Sequence, residues 1–213
     1  MRQLTHGGTM RVRAVLFDLD GVLVDSKDAW YEAFNDTIKR FGLRGISKEE
    51  FEEKYWGPDL RHNIDELGLS EAAVEYCLER QLELIGRMRL FPDARSVLKT
   101  THQKYKTGLV TNTPKRNTLK IIEHFRLGKY LDVVVTGDDV SRGKPDPEII
   151  LKACAALDVD PAETVLIGDT ESDVEAARRA GCLVILKSEN LGSNAGGVPV
   201  VRRLSEILVL LEK

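Results

Sequence analysis

Apolar residues in this chain follow two rhythms. Short apolar, β-branched runs occupy residues 12–17, 107–110, 133–136, 164–167 and 183–186, with 198–201 a candidate sixth. Most are apolar at consecutive positions, as strands buried on both faces of a parallel sheet must be. Helix-length segments separate the later runs, at 115–125, 147–157 and 172–180, and a last helix is expected over 204–212. Strand and helix in alternation predict βαβ units and an α/β fold: an open, Rossmann-like, doubly wound parallel sheet.

The second rhythm fills residues 26 to about 89, where no strand pattern occurs. Apolar positions return at helical spacing, first Trp30, Phe34, Ile38 and Phe41, then Val74, Cys77, Leu78, Leu82 and Ile85. Gly42, Gly45, Gly57-Pro58 and Gly68 separate these runs. The segment reads as an inserted α-helical subdomain with a core of its own, able to move against the sheet domain. The chain then divides into a flexible tail at 1–10, a core built from 11–25 and 90–213, and the insertion at 26–89. Met10 is a second candidate start. The patch Gly192-Ser193-Asn194-Ala195-Gly196-Gly197 reads as a surface loop, because it lacks the Lys-Ser/Thr ending of a phosphate-binding P-loop.

Composition narrows the function classes. The 213 residues are 42% hydrophobic and 31% charged, with a formal net charge of -3. Charges are interspersed, which argues against a broad nucleic-acid or membrane surface. No stretch approaches the ~20 apolar residues of a membrane helix. Cys77, Cys154 and Cys182 are far apart and form no CxxC pair, which suits a cytoplasmic protein with buried thiols. His6, His62, His102 and His124 have no metal-ligand spacing. A monomer is the default expectation.

Ligands of open α/β sheets bind outside the carboxyl ends of the strands, so the residues following each predicted strand carry the chemistry. Asp18 and Asp20 follow the first strand, and Thr111 and Asn112 the second. Lys144 lies in the loop beyond the third, and Asp169 and Asp173 follow the fourth. In an extended segment residues i and i+2 point the same way, so Asp18 and Asp20 face one substrate. One carboxylate can attack phosphorus while the other protonates the leaving oxygen. Two carboxylates a few ångströms apart repel by roughly 4 kcal/mol at an effective dielectric of about 20. Four of them with an anionic substrate call for a hard divalent cation, and all-oxygen ligands suit Mg2+. Lys144, the Thr111 hydroxyl and the amides near Leu19, Gly21 and Asn112 are candidate phosphoryl-binding groups.

The run Asp18-Leu19-Asp20-Gly21-Val22-Leu23-Val24-Asp25-Ser26 resembles the first motif of the haloacid dehalogenase superfamily. Val110-Thr111-Asn112-Thr113 resembles the second, Gly143-Lys144-Pro145-Asp146-Pro147 the third, and Gly168-Asp169-Thr170-Glu171-Ser172-Asp173 the fourth. All four stand in the family's order and span the chain from Val12 onward. The resemblance implies a nucleophile and magnesium ligand at Asp18. It implies a general acid/base at Asp20, whose carbonyl also binds magnesium, and a phosphoryl-binding pair at Thr111 and Lys144. It implies an acidic metal ligand at Asp169, with Asp173 supporting it directly or through water. The insertion resembles the mobile cap of the phosphoglycolate phosphatase-like branch. Dehalogenases of this superfamily lack an acid at the Asp20 position and its transport ATPases carry Thr there, so Asp20 implies phosphoryl transfer to water or to a sugar.

The leading expectation is a phosphatase for small phosphorylated metabolites, with a β-phosphoglucomutase-like mutase as the alternative and a phospho-accepting signalling domain without turnover as the second. In the turn Trp56-Gly57-Pro58-Asp59-Leu60-Arg61 of the insertion, Arg61 is a candidate contact to a substrate carboxylate or phosphate. Trp30, Tyr31 and Phe34 are expected in the insertion's core rather than in a substrate wall.

Overall fold

The computed structural model describes residues 11–188 and 197–212. Six strands form one sheet: β1 (Ala14–Phe17), β4 (Lys106–Thr111), β5 (Val133–Thr136), β6 (Thr164–Gly168), β7 (Leu183–Lys187) and β8 (Val200–Val201). Their order is β5-β4-β1-β6-β7-β8, and every pairing is parallel. From β1 the chain builds outward through β4 and β5, then returns to the other side of β1 for β6, β7 and β8. This reversal places a crevice at the carboxyl end of β1, flanked by the ends of β4 and β6. The tail at 1–10, with Met10, and residues 192–196 of the Gly-rich patch lie outside the described residues.

Alternation along β1 assigns its two faces. Ala14 and Leu16 pack with Ile149, Ala153 and Leu157 of α7 (Glu148–Leu157) and with Val174 and Ala177 of α8 (Glu171–Ala180). Val15 and Phe17 face the other layer, containing Val97 and Leu98 of α5 (Ala94–Lys104) and Ile121 of α6 (Lys115–Phe125). The pattern predicted no element over α5. The expected last helix is a 3-10 turn, Leu204–Glu206, followed by a short α9 (Ile207–Leu210).

The insertion is four helices, α1 (Lys27–Arg40), α2 (Lys48–Lys54), α3 (Leu60–Glu66) and α4 (Glu71–Glu83). Its two connections to the sheet are paired as a short antiparallel ribbon, β2 (Val24–Asp25) with β3 (Arg89–Leu90). Two residues per strand are too few to show a period, so hydropathy does not reveal this ribbon. Phe34, Ile38, Phe51, Ile64 and Cys77 join Val15 and Phe17 in one contiguous apolar cluster. Side chains of the insertion and of one face of the sheet thus meet in a single apolar cluster.

Candidate active site

The carboxyl ends of β1, β4 and β6, with the loop before α7, deliver the polar residues to one place. Asp18 continues the β1–β6 pairing, its N–H donating to the Ile167 carbonyl at 2.9 Å. The chain then turns at Gly21, which holds φ +78 and donates its N–H to the Val24 carbonyl at 2.8 Å. A Cβ at Gly21 would collide with the Asp169 carboxylate. Left-handed backbone costs other residues roughly 1–2 kcal/mol. Gly21→Ala is therefore expected to lower the melting temperature and cut kcat by more than about tenfold, through displacement of Asp169. Thermal unfolding and steady-state rates check this, and an alanine variant with wild-type values of both would refute it.

Lys144 stands at the bottom of the site, buried. Its Nζ lies 2.9 Å from Asp18 Oδ2 and 2.7 Å from Asp173 Oδ1, and donates to the Val110 carbonyl at 3.3 Å. Burial alone would lower its pKa, but Asp173 and Asp18 outweigh burial and raise it, so the ammonium stays charged. Asp173 caps α8: its Oδ2 accepts from the Thr170 hydroxyl at 2.7 Å and from the Thr170 and Asp169 amides. Burial pushes the Asp173 pKa up, but the Lys144 charge and these hydrogen bonds prevail and hold it low. Asp18 ends well above the usual carboxylate range: burial raises it, Lys144 opposes, and Asp173, Asp169 and Asp20 add repulsion. Asp169 is pushed up to about 7, by burial and then by Asp173, against the Trp56 hydrogen bond.

Asp20 is fixed by three donors. Its Oδ1 accepts from the Ser26 hydroxyl and from Trp30 Nε1 at 3.0 Å, and its Oδ2 from the Thr113 hydroxyl at 2.7 Å. Ser26 and Thr113 stand inside the motifs but revealed no partner in the sequence. Trp30 reaches Asp20 only because α1 packs over the rim. A second insertion tryptophan, Trp56, donates Nε1–H to Asp169 Oδ2 at 3.1 Å.

The other sequence-derived candidates divide. Thr111 is buried at the end of β4 and lines the cavity beside Asp18. Asn112 also lines it, but its side chain braces the Lys144 loop: Oδ1 accepts from Lys144 N at 2.8 Å and Nδ2 donates to the Lys144 carbonyl at 2.9 Å. The same Nδ2 reaches the Gly57 carbonyl of the insertion at 3.2 Å. The Leu19 amide donates to Asp18 Oδ1 at 2.8 Å, and the Gly21 amide is used in its own turn. Arg61 is not brought into this cavity; it pairs with Glu71 and lines a neighbouring outer groove with His62. Trp30 and Phe34 do line the cavity, whereas Tyr31 does not; its ring packs on Phe51 and its hydroxyl donates to the Ile46 carbonyl at 3.1 Å. All three belong to or pack against the buried apolar cluster, as expected, and Trp30 and Phe34 line the cavity as well.

The model of the haloacid dehalogenase-like hydrolase family matches residues 15–187 of this chain. The chain belongs to that family. A phosphorylated carbohydrates phosphatase of Thermotoga maritima is 33% identical over 218 residues, covering 95% of this chain and 99% of the relative. A phosphoglycolate phosphatase of Aquifex aeolicus is 31% identical over 175 residues, covering 80% and 82%. The fold matches CbbY of Rhodobacter sphaeroides, solved in complex with phosphate, with a TM-score of 0.85 at 22% identity over 95% of this chain and 100% of that one.

Within this haloacid dehalogenase-like hydrolase the cavity measures about 80 Å3 and lies between the carboxylates and the insertion. Oxygens of Asp18, Asp169 and Asp173 lie within 4.8 Å of one another. Asp169 Oδ1 is buried without a hydrogen-bond partner among the described residues. An orphaned carboxylate oxygen costs free energy unless something fills it. Three converging hard oxygen donors with surplus negative charge fit a divalent cation of the magnesium type. Asp173, its oxygens already taken by Lys144 and Thr170, fits the supporting position.

Proposed function

We propose that this hydrolase is a phosphatase for small phosphate monoesters that works through an aspartyl-phosphate on Asp18. The observation that carries the reading is the placement of two carboxylates at one strand end in opposite settings. Asp18 is clamped beside a charged lysine at the cavity floor, and Asp20 is held by three donors next to it. The phosphatase names of the Thermotoga and Aquifex relatives support the same reaction class.

In the first half-reaction an Asp18 oxygen attacks phosphorus and the bond to the leaving oxygen breaks. Asp20 gives that oxygen its proton. In the second, water attacks the same phosphorus, Asp20 takes the water's proton, and the Asp18 carboxylate departs. Lys144 and the Thr111 hydroxyl hold the phosphoryl oxygens. Magnesium held by Asp18, Asp169 and the Asp20 carbonyl, with Asp173 behind them, would supply charge neutralisation at the transferred group. The insertion serves as a cap that admits substrate and then excludes water.

Asp20→Asn separates the two halves. With p-nitrophenyl phosphate, whose leaving group needs no proton, the variant should give a burst of one nitrophenolate per protein and then stall. Mass spectrometry of the stalled protein should show one added phosphoryl group on the Asp18 peptide. Steady turnover without that adduct would exclude the covalent route. A wild-type protein that accumulates the adduct without releasing phosphate would instead be a phospho-accepting domain.

The pKa of Asp169 yields a stability test. Its folded value, about 7, lies above the ordinary 3.8, so its contribution to stability is present at low pH and lost as pH rises through 7. Magnesium offsets that loss where the carboxylate is ionised. The rise in melting temperature on adding Mg2+ to the metal-free protein should therefore be larger at pH 8 than at pH 6. Equal shifts at both pH values would show that the metal does not engage this cluster.

A further inference from the structure

We propose that the leaving group of the physiological substrate is electrically neutral and presents an apolar or aromatic face, because the insertion wall over the phosphoryl site is aromatic and carries no cation. The inference rests on the phosphatase reading and specifies its substrate class. The floor of the cavity is polar, with Asp18, Asp20, Thr111, Lys144 and Asp169. The opposite wall comes from the insertion and is formed by Trp30, Phe51, Tyr55, Trp56 and Leu60. Among the described residues lining the cavity, Lys144 is the only lysine or arginine, and its ammonium is held at the floor between Asp18 and Asp173.

Arg61 and Lys27, the insertion's nearby cations, do not line the cavity, although the Lys27 charge reaches Asp169 and favours its ionised form. Arg61 pairs with Glu71 outside the cavity. Lys27 lies over the Trp56 ring, 5.3 Å from its centroid, and pairs with Glu52 at 3.4 Å. The wall is also built in advance. Phe51 meets Trp56 edge-on with centroids 6.2 Å apart, and Tyr55 packs on Phe34 at 4.8 Å. Such packing fixes the rings before a ligand arrives and lowers the ordering cost of binding.

A carboxylate or second phosphate on the leaving group would lose its hydration against this wall and find no counter-charge. It would also stand close to the floor carboxylates. A neutral group would instead remove apolar surface of both partners from water. The same argument weighs against a mutase cycle, whose bisphosphate intermediate needs a clamp for its second phosphate.

The test compares kcat/KM of the full-length protein with Mg2+ for four compounds. Benzyl phosphate and glycerol 3-phosphate have neutral leaving groups, while 2-phosphoglycolate and inorganic pyrophosphate have anionic ones. The first three release primary alcohols, so charge and shape, rather than intrinsic reactivity, separate them. Benzyl phosphate should lead, and both neutral esters should exceed phosphoglycolate by about a hundredfold or more. Leu60→Arg, which puts a cation into the wall, should raise kcat/KM for phosphoglycolate relative to benzyl phosphate by about tenfold, chiefly through KM. Phosphoglycolate or pyrophosphate matching the neutral esters in the wild type would overturn the inference and leave the phosphatase reading standing. Hydrolysis of none of the four would overturn both. If Leu60→Arg does not fold, the wild-type ranking alone decides.

Discussion

Asp18→Asn is expected to lower phosphate release by at least about 10^4-fold, equivalent to roughly 5 kcal/mol of transition-state stabilisation, while the fold survives. Asparagine has the shape of aspartate but offers no carboxylate to form an acyl phosphate. In the proposed mechanism Lys144 and Thr111 would still bind a phosphoryl group and Asp20 would still offer its proton, but none of them supplies the nucleophile. Stability should hold or rise in the metal-free protein. Asp18 is buried with Asp173, Asp169 and Asp20, and burial together with their repulsion already lifts its pKa. A neutral side chain removes that repulsion, and its carbonyl oxygen can still accept from Lys144. Phosphate release from p-nitrophenyl phosphate with Mg2+, alongside thermal unfolding, reads both effects. A folded variant with activity within about tenfold of wild type would remove Asp18 from the nucleophile role.

Lys144→Met should damage stability and activity together. Methionine nearly matches the stem in volume, so packing changes little. The charge loss leaves Asp18 and Asp173 facing each other across a buried space without their common cation, at 2.9 Å and 2.7 Å from Nζ in the intact protein. Removing one partner of a buried ion pair costs about 3–5 kcal/mol. Without Lys144, the low pKa of Asp173 loses the largest influence opposing burial, so this carboxylate becomes easier to protonate. The variant should therefore recover stability on acidification from pH 8 to pH 5.5, where protonation relieves the stranded charge. Denaturant unfolding at the two pH values checks the sign. A variant within about 1 kcal/mol of wild type at pH 8 would mean that the three-group contact contributes little. Activity should fall by more than about a thousandfold, since in the proposed mechanism Lys144 would also balance the incoming phosphoryl charge.

The parts of the site that could be read in the chain share one physical property. Asp18 and Asp169 directly follow buried strands, Thr111 ends one, and Asp20 and Asp173 stand a few residues beyond, and a parallel sheet puts all strand ends of one polarity on one edge. Lys144 was legible through its Gly-Lys-Pro setting and its place in the motif order. The β2–β3 ribbon was hidden because two residues carry no periodicity. Asn112 stood in the right place, yet its work as a brace between the Lys144 loop and Gly57 depends on three segments meeting.

For the insertion, helical spacing showed which residues are apolar but not which face meets the rim. Trp30 recurs with Phe34 and Ile38 as any buried stripe would. Only the packing of α1 against the sheet turns its indole N–H onto Asp20, and only the turn before α3 sends Trp56 to Asp169 and Arg61 outward to Glu71. The amino-acid sequence by itself determined the alternating α/β fold, the helical insertion and the candidate carboxylates near the strand ends, because those depend on local period and on residues close to strand ends. The tertiary structure alone decided what covers those carboxylates: a largely aromatic wall, with no lysine or arginine among the described insertion residues that line it, whose side-chain directions are set by contacts between elements far apart in the chain.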